Sequence, residues 1–178
     1  MTVAADAGGC ASVEPWIDAA KQTHLSLLDP DLEIANLYGV RNVPSAFWID
    51  ETGHIVRAHD PIYAQRNEAY LDAVREWVTK GAASKFQQDE QALEKRGRAP
   101  SFADVEAGAS FDLGVYLARR GDVAAAQKHF DRARELAPDN WTYRRQAWKF
   151  AGAATQTIVD AIQDPEAPPF YPDLDLPN

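Results

Sequence analysis

Apolar residues come in short runs separated by turn residues over the first sixty positions, and then change to a helical spacing. Thr2–Ala5 is an apolar run that Gly8 and Gly9 interrupt, which predicts a strand followed by a turn. Residues 12–21 predict a helix with Ser12 as its cap and Pro15 in the first turn, where a missing amide proton costs little. Trp16, Ile17 and Ala20 share one face of that helix by their spacing. Residues 24–28 predict a second strand, closed by Asp29, Pro30 and Asp31. Residues 32–38 predict a short helix with Leu32, Ala35 and either Leu37 or Tyr38 turned inward, ended by Gly39. Residues 46–49 and 55–58 predict two strands, and the Asp50-Glu51-Thr52-Gly53 turn between them predicts a hairpin with Gly53 left-handed. A helix over 65–80 follows, with Tyr70, Leu71, Val74, Trp77 and Val78 near one stripe. Strands and helices in this order predict an α/β fold.

Beyond residue 81 the pattern loses its strands. Residues 82–101 are polar and charged, and read either as a solvent-facing helix or as a linker. From residue 102 the spacing is helical. Leu113, Gly114, Leu117, Gly121, Ala126, Phe130, Ala133 and Pro138 follow the logic of an antiparallel helix pair. Gly114 and Ala126 are small where two helices approach, while Leu113, Leu117 and Phe130 fill the seam. Gly121-Asp122 marks the turn, and Pro138 stops the second helix. Trp141–Phe150 predicts a capping helix, with Trp141, Tyr143, Ala147, Trp148 and Phe150 as its large or packing positions. Prolines 165, 168, 169, 172 and 177 exclude a regular helix in the tail. The tail reads as an extended arm whose Phe170, Tyr171 and Leu174 pack on the body, or alternatively as a polyproline-type ligand.

Charge and cysteine content narrow the chemistry. The net charge of -9, with no basic run, argues against a nucleic-acid partner. No apolar stretch approaches the roughly 20 residues of a membrane span, and the N-terminus lacks the pattern of a signal peptide. A cytoplasmic location is the expectation. Cys10 is the one cysteine, so no intrachain disulfide forms. Histidines 24, 54, 59 and 129 lack a spaced second ligand, no phosphate-cradling glycine loop is present, and no cofactor is expected. Asp160 and Asp164 share a helix face and read as solvated.

The stretch from Leu28 to Val56 resembles the second half of the thioredoxin-like family. It is closest to the bacterial TlpA-type thiol:disulfide oxidoreductases and the peroxiredoxin-like (AhpC/TSA-like) proteins. The residues that carry the resemblance are Asp29 at a strand end, Tyr38-Gly39-Val40, Val43-Pro44, and Ile49-Asp50 through Gly53 to Ile55. The resemblance implies that Pro44 is cis and that Val43 borders a substrate groove. It also implies an active-site Cys-x-x-Cys, or a single peroxidatic cysteine, at the end of a strand preceding the one matched by Thr2–Asp6. Cys10 lies after the Thr2–Asp6 strand, where the family has no catalytic cysteine; it reads as an ordinary loop or first-turn thiol, or alternatively as a catalytic, redox-active one without a resolving partner in this chain. The absent strand would lie between those matched by Thr2–Asp6 and Ala46–Ile49, leaving two open edges that invite pairing with another chain. The chain is then a fragment or truncated product, or its sheet closes across the gap, or two chains complete each other. The block around 113–138 resembles a tetratricopeptide-like hairpin.

The organisation expected from these readings is a partial thioredoxin-like domain over 1–81 and a polar helix or linker over 82–101. A tetratricopeptide-like helical region over 102–164 and a proline-rich arm over 165–178 follow. The function expected is a degenerate thioredoxin-like scaffold or interaction module without catalysis in this chain, whose helical tail holds a protein partner or a second copy, with self-association through open sheet edges as a further route. The alternative is a thiol:disulfide oxidoreductase or thiol peroxidase whose cysteine-bearing segment lies outside this chain.

Overall fold

The computed structural model describes residues 1–61, 66–97, 99–152, 160, 163 and 174–177. It is an α/β arrangement of small sheets flanked by helices, followed by a multi-helix region. The order is β1 (Thr2–Ala5), α1 (Cys10–Ala20), β2 (Ser26–Asp29), α2 (Glu33–Leu37), β3 (Ser45–Ile49), β4 (Ile55–Pro61) and α3 (Glu68–Lys80). A 3-10 turn at Gly81–Ala83 leads to α4 (Glu90–Arg96), α5 (Phe102–Arg119), α6 (Val123–Leu136) and α7 (Trp141–Phe150). Among the described residues there are two separate two-stranded sheets, β1–β2 parallel and β3–β4 antiparallel. Contacts divide the chain into two compact units, one of Met1–Arg41 with Pro100–Phe170 and one of Asn42–Ala99 with Tyr171–Asn178. The chain passes between the units at 41/42, between α2 and β3, at 99/100, between α4 and α5, and at 170/171.

In the first unit, α5 and α6 form an antiparallel hairpin. Ser101 caps α5 in a reciprocal box with Asp104, and Asp122 caps α6. Gly121, with φ 86°, makes the turn between them. Gly114 sets the closest approach, because a Cβ there would lie 2.7 Å from the Phe130 ring. Helical geometry then turns Leu113 away by about 100°. It is 42% exposed, and Phe111 and Val115 occupy the seam instead. Leu117 is half-buried, while Ala126, Phe130 and Ala133 are buried as expected. Phe111 stacks on Tyr143 of α7 at 4.6 Å between ring centroids, and Phe130 stacks on Phe150 at 5.8 Å. Leu32, Ala35 and Ala7 join this same aromatic core, so the helical region packs on the β1–α2 segment as one body.

Three local expectations are corrected in this unit. Helix α1 begins at Cys10, capped by Gly9 with φ 74°, so Pro15 lies inside the helix and not in its first turn. Only Val13 of α1 is buried, while Trp16 is 77% exposed. Strand β2 runs from Ser26 to Asp29, later than 24–28, with Asp29 buried and its carboxylate accepting from the Ala35 N–H at 2.9 Å. The reading of α2, by contrast, stands: Leu32, just before it, and Ala35 are buried, Tyr38 is half-buried and Leu37 is exposed.

In the second unit, the hairpin turn is built by Asp50. Its Oδ1 accepts from the N–H groups of Thr52 and His54, each at 2.9 Å, and Gly53 takes φ 88°. Strand β4 extends to Pro61, past the expected end at 58, with register shifts against β3. His59 adopts φ 58° there, so the simple alternation that would put His54 and His59 on opposite faces does not apply. Helix α3 starts at Glu68, where the Asn67 side chain caps it by accepting from Ala69 and Tyr70. Tyr70 and Ala73 are buried, and Val78 is exposed. Residues 84–88 are no free linker. Gln88 donates its N–H to Val56 O at 2.8 Å, and its Oε1 accepts from the Ala58 N–H at 3.0 Å.

Candidate interaction surfaces

Among the described residues, strand β1 has a strand partner on one side only. Thr2 donates to Leu25 O at 2.9 Å and Asp6 to Asp29 O at 3.3 Å. In a parallel ladder alternate residues face alternate sides. Thr2, Ala4 and Asp6 therefore serve β2, and the main-chain groups of Val3 and Ala5 face the other edge. The C-terminal end of that edge is covered by one side chain. Gln146 of α7 donates to Ala5 O at 3.1 Å and accepts from the Ala7 N–H at 2.9 Å. This is the bonding that a neighbouring strand would supply. It leaves the N–H and C=O of Val3 and the N–H of Ala5 without a partner among the described residues. The edge bears no charge or proline of the kind that blocks strand pairing.

Beside β1 lies an apolar hollow of about 270 Å³, lined by Val3, Val13, Trp16, Ile17, Ala20 and Leu27 among others. The hollow lies over the β1–β2 pair beneath α1, and Trp16 and Leu27 at its margin are both exposed. Its cause is local. Helix α1 buries little beyond Val13, and so covers its sheet incompletely.

The residues expected to carry chemistry are distributed differently. Cys10 is a free, exposed thiol at the first residue of α1. Near it, Lys149 bonds both Asp6 and Ser12, an ion-paired arrangement that fixes the end of α7 against the loop after β1. Val43-Pro44 lies in the second unit, and its peptide bond is cis. Among the described residues no cluster of three His, Cys, Asp or Glu could hold a metal ion, and no helix is long and apolar enough to cross a membrane. Of the acidic pair in the tail, Asp164 lies outside the described residues, as do Phe170 and Tyr171.

No family model matches this chain, and no curated protein or solved structure matches it either. What stands is an α/β chain with open sheet edges and a single cysteine, hence without a Cys-x-x-Cys pair.

The first unit is tied together by charge as well as packing. Arg41 bonds Asp104 and Asp139, each at 2.7 Å. Burial opposes ionisation of Asp104, but Ser101 and Arg41 outweigh it and hold the carboxyl well below its usual range. Asp112 is shifted the other way, by burial first and then by the charges of Asp31 and Glu33. A carboxyl raised in the folded state costs stability once ionised, and costs nothing below its unfolded pKa of about 3.9. Asp112→Asn is therefore expected to raise the thermal midpoint at pH 7 by about 1–2 °C, the scale of a surface change. The gain should vanish below about pH 4 when thermal scans are repeated there.

Gln146 was not legible as functional. The available signal was a polar residue on the apolar face that runs through Tyr143, Ala147 and Phe150.

Proposed function

We propose that this chain is an interaction module that pairs with a second copy of itself through the open edge of β1. The single observation that carries the reading is the outward-facing backbone of Val3 and Ala5, uncharged and with the apolar hollow over the same strand pair. Antiparallel pairing of two β1 edges is self-complementary. It places no like charges opposite one another, since Thr2–Ala5 has none. The exposed Trp16 and Leu27 supply apolar surface beside the new ladder.

The motifs Tyr38-Gly39-Val40, Val43-Pro44 and Ile49-Asp50 support reading the α/β part as a degenerate relative of thioredoxin-like domains. The 113–138 hairpin supports a tetratricopeptide-like origin for the helices. Dithiol exchange needs two thiols, and this chain has one. Insulin reduction by the chain with dithiothreitol is expected to equal that by its Cys10→Ser variant. A clear excess in the native chain would assign Cys10 a redox role.

The edge is tested by sedimentation equilibrium. The native chain is expected to populate a dimer as concentration rises. Val3→Pro leaves the β2 ladder intact, because the Val3 N–H is not used there, and removes a donor from the open edge. It is expected to weaken the dimer by about tenfold or more, the effect of losing one or two backbone hydrogen bonds. A native chain that is monomeric at every concentration would sink the proposal.

A further inference from the structure

We propose that the second unit carries a binding groove for an extended Leu-x-Leu segment, and that residues 174–177 are a displaceable strap seated in it. Leu174 and Leu176 are half-buried, whereas Asp175 and Pro177 are exposed. This period of two is that of an extended chain laid along a surface. Both leucines pack against the cluster of Trp48, Tyr70 and Ala73, beside Val74, Trp77 and Phe86. Trp48 and Trp77 stack at 4.9 Å and give the groove a flat aromatic floor.

The anchor is Arg57. Its side chain is 1% exposed and is held by its neighbours. Nε donates to Asp60 Oδ2 at 2.7 Å, Nη1 donates to Phe86 O at 3.2 Å, and the guanidinium lies 5.4 Å from the Trp48 ring centroid. Nη2 is left to donate to the strap, and it does so to the main-chain carbonyl of Asp175. That contact reads backbone, so selectivity rests on the two flanking leucines. All other elements of this unit come from the continuous stretch Asn42–Ala99. The strap is thus a peptide ligand supplied from far along the same chain. A tether of this kind gives an effective concentration on the order of mM, so free peptide at micromolar levels does not compete with it.

The test uses the chain ending at residue 170 and a labelled synthetic peptide of residues 171–178, followed by fluorescence polarisation. The peptide is expected to bind the shortened chain saturably, and the full-length chain at least tenfold more weakly. A peptide with Leu174→Asp and Leu176→Asp is expected not to bind. Should the shortened chain lose its fold, recovery of its native circular dichroism on adding the peptide supports the strap. Failure to recover counts against it. A shortened chain that keeps its fold and ignores the peptide, or equal binding to both chains, would overturn the proposal.

Discussion

Replacing Gln146 with alanine is expected to destabilise the chain by about 2–4 kcal/mol, read as a lower urea midpoint with unchanged slope. The side-chain amide satisfies two main-chain groups at once, Ala5 O and the N–H of Ala7. Ala7 is 3% exposed and Gln146 8%, so water does not readily replace the lost bonds. The buried Ala7 N–H costs about 1–3 kcal/mol when orphaned, and the half-buried Ala5 carbonyl at the open edge adds less. Gln146→Glu separates the two bonds. Its carboxylate still accepts from Ala7 but faces the Ala5 carbonyl without a proton. It is expected to be as damaging as alanine at pH 7 and to recover below about pH 4, where a protonated glutamic acid regains a donor. If Gln146→Ala matched the native midpoint, the side chain would not be standing in for a strand.

Arg57→Leu is the second large effect, at about 3–5 kcal/mol. Arg57 and Asp60 are both essentially inaccessible, at 1% and 0% side-chain exposure, and bond at 2.7 Å. Removing the guanidinium leaves a carboxylate in the interior with no counter-charge. Asp60 is already under-served, since its Oδ1 has no partner of hydrogen-bond geometry among the described residues. It does lie near the Tyr70 hydroxyl, whose pKa is pushed up to about 12, by burial first and with Asp60 adding to it, while the bond from Trp48 works the other way. The double variant Arg57→Leu with Asp60→Asn removes both charges and is expected to recover much of the loss. Urea unfolding followed by tryptophan emission measures both. Equal instability in single and double variants would mean that lost packing, not the stranded charge, sets the cost.

The elements of the fold were largely legible because their signals are local. Thr2–Ala5, the Asp50–Gly53 turn and the α5–α6 hairpin each follow from a few neighbouring residues. Helix ends were less so. Gly9 and Asn67 act as caps where the residue pattern places the starts at Ser12 and residue 65, since capping depends on backbone geometry at one residue. Leu113 illustrates a different limit. Its spacing suits the seam, but the close approach at Gly114 fixes which face meets α6, and a one-residue offset turns Leu113 outward.

The residues that organise the candidate surfaces were the least legible. Gln146 lies 141 residues from Ala5, and Arg57 lies 118 from Asp175. No window of sequence places such partners together. Arg57 did leave a trace, as a charge inside the apolar run Ile55-Val56-Arg57-Ala58, which is the pattern of a buried and paired ion.

Hydrogen exchange at the backbone amides of Val3 and Ala5, followed as concentration rises, tests the interaction account most directly. Both N–H groups face the open edge, so in dilute solution they are expected to exchange quickly, unlike Ala4, whose N–H serves β2. Pairing of two edges predicts that both slow together as the dimer forms, and that Val3→Pro abolishes the slowing at Ala5. Rates at Val3 and Ala5 that stay fast at every concentration, while the chain still associates, would contradict pairing through β1.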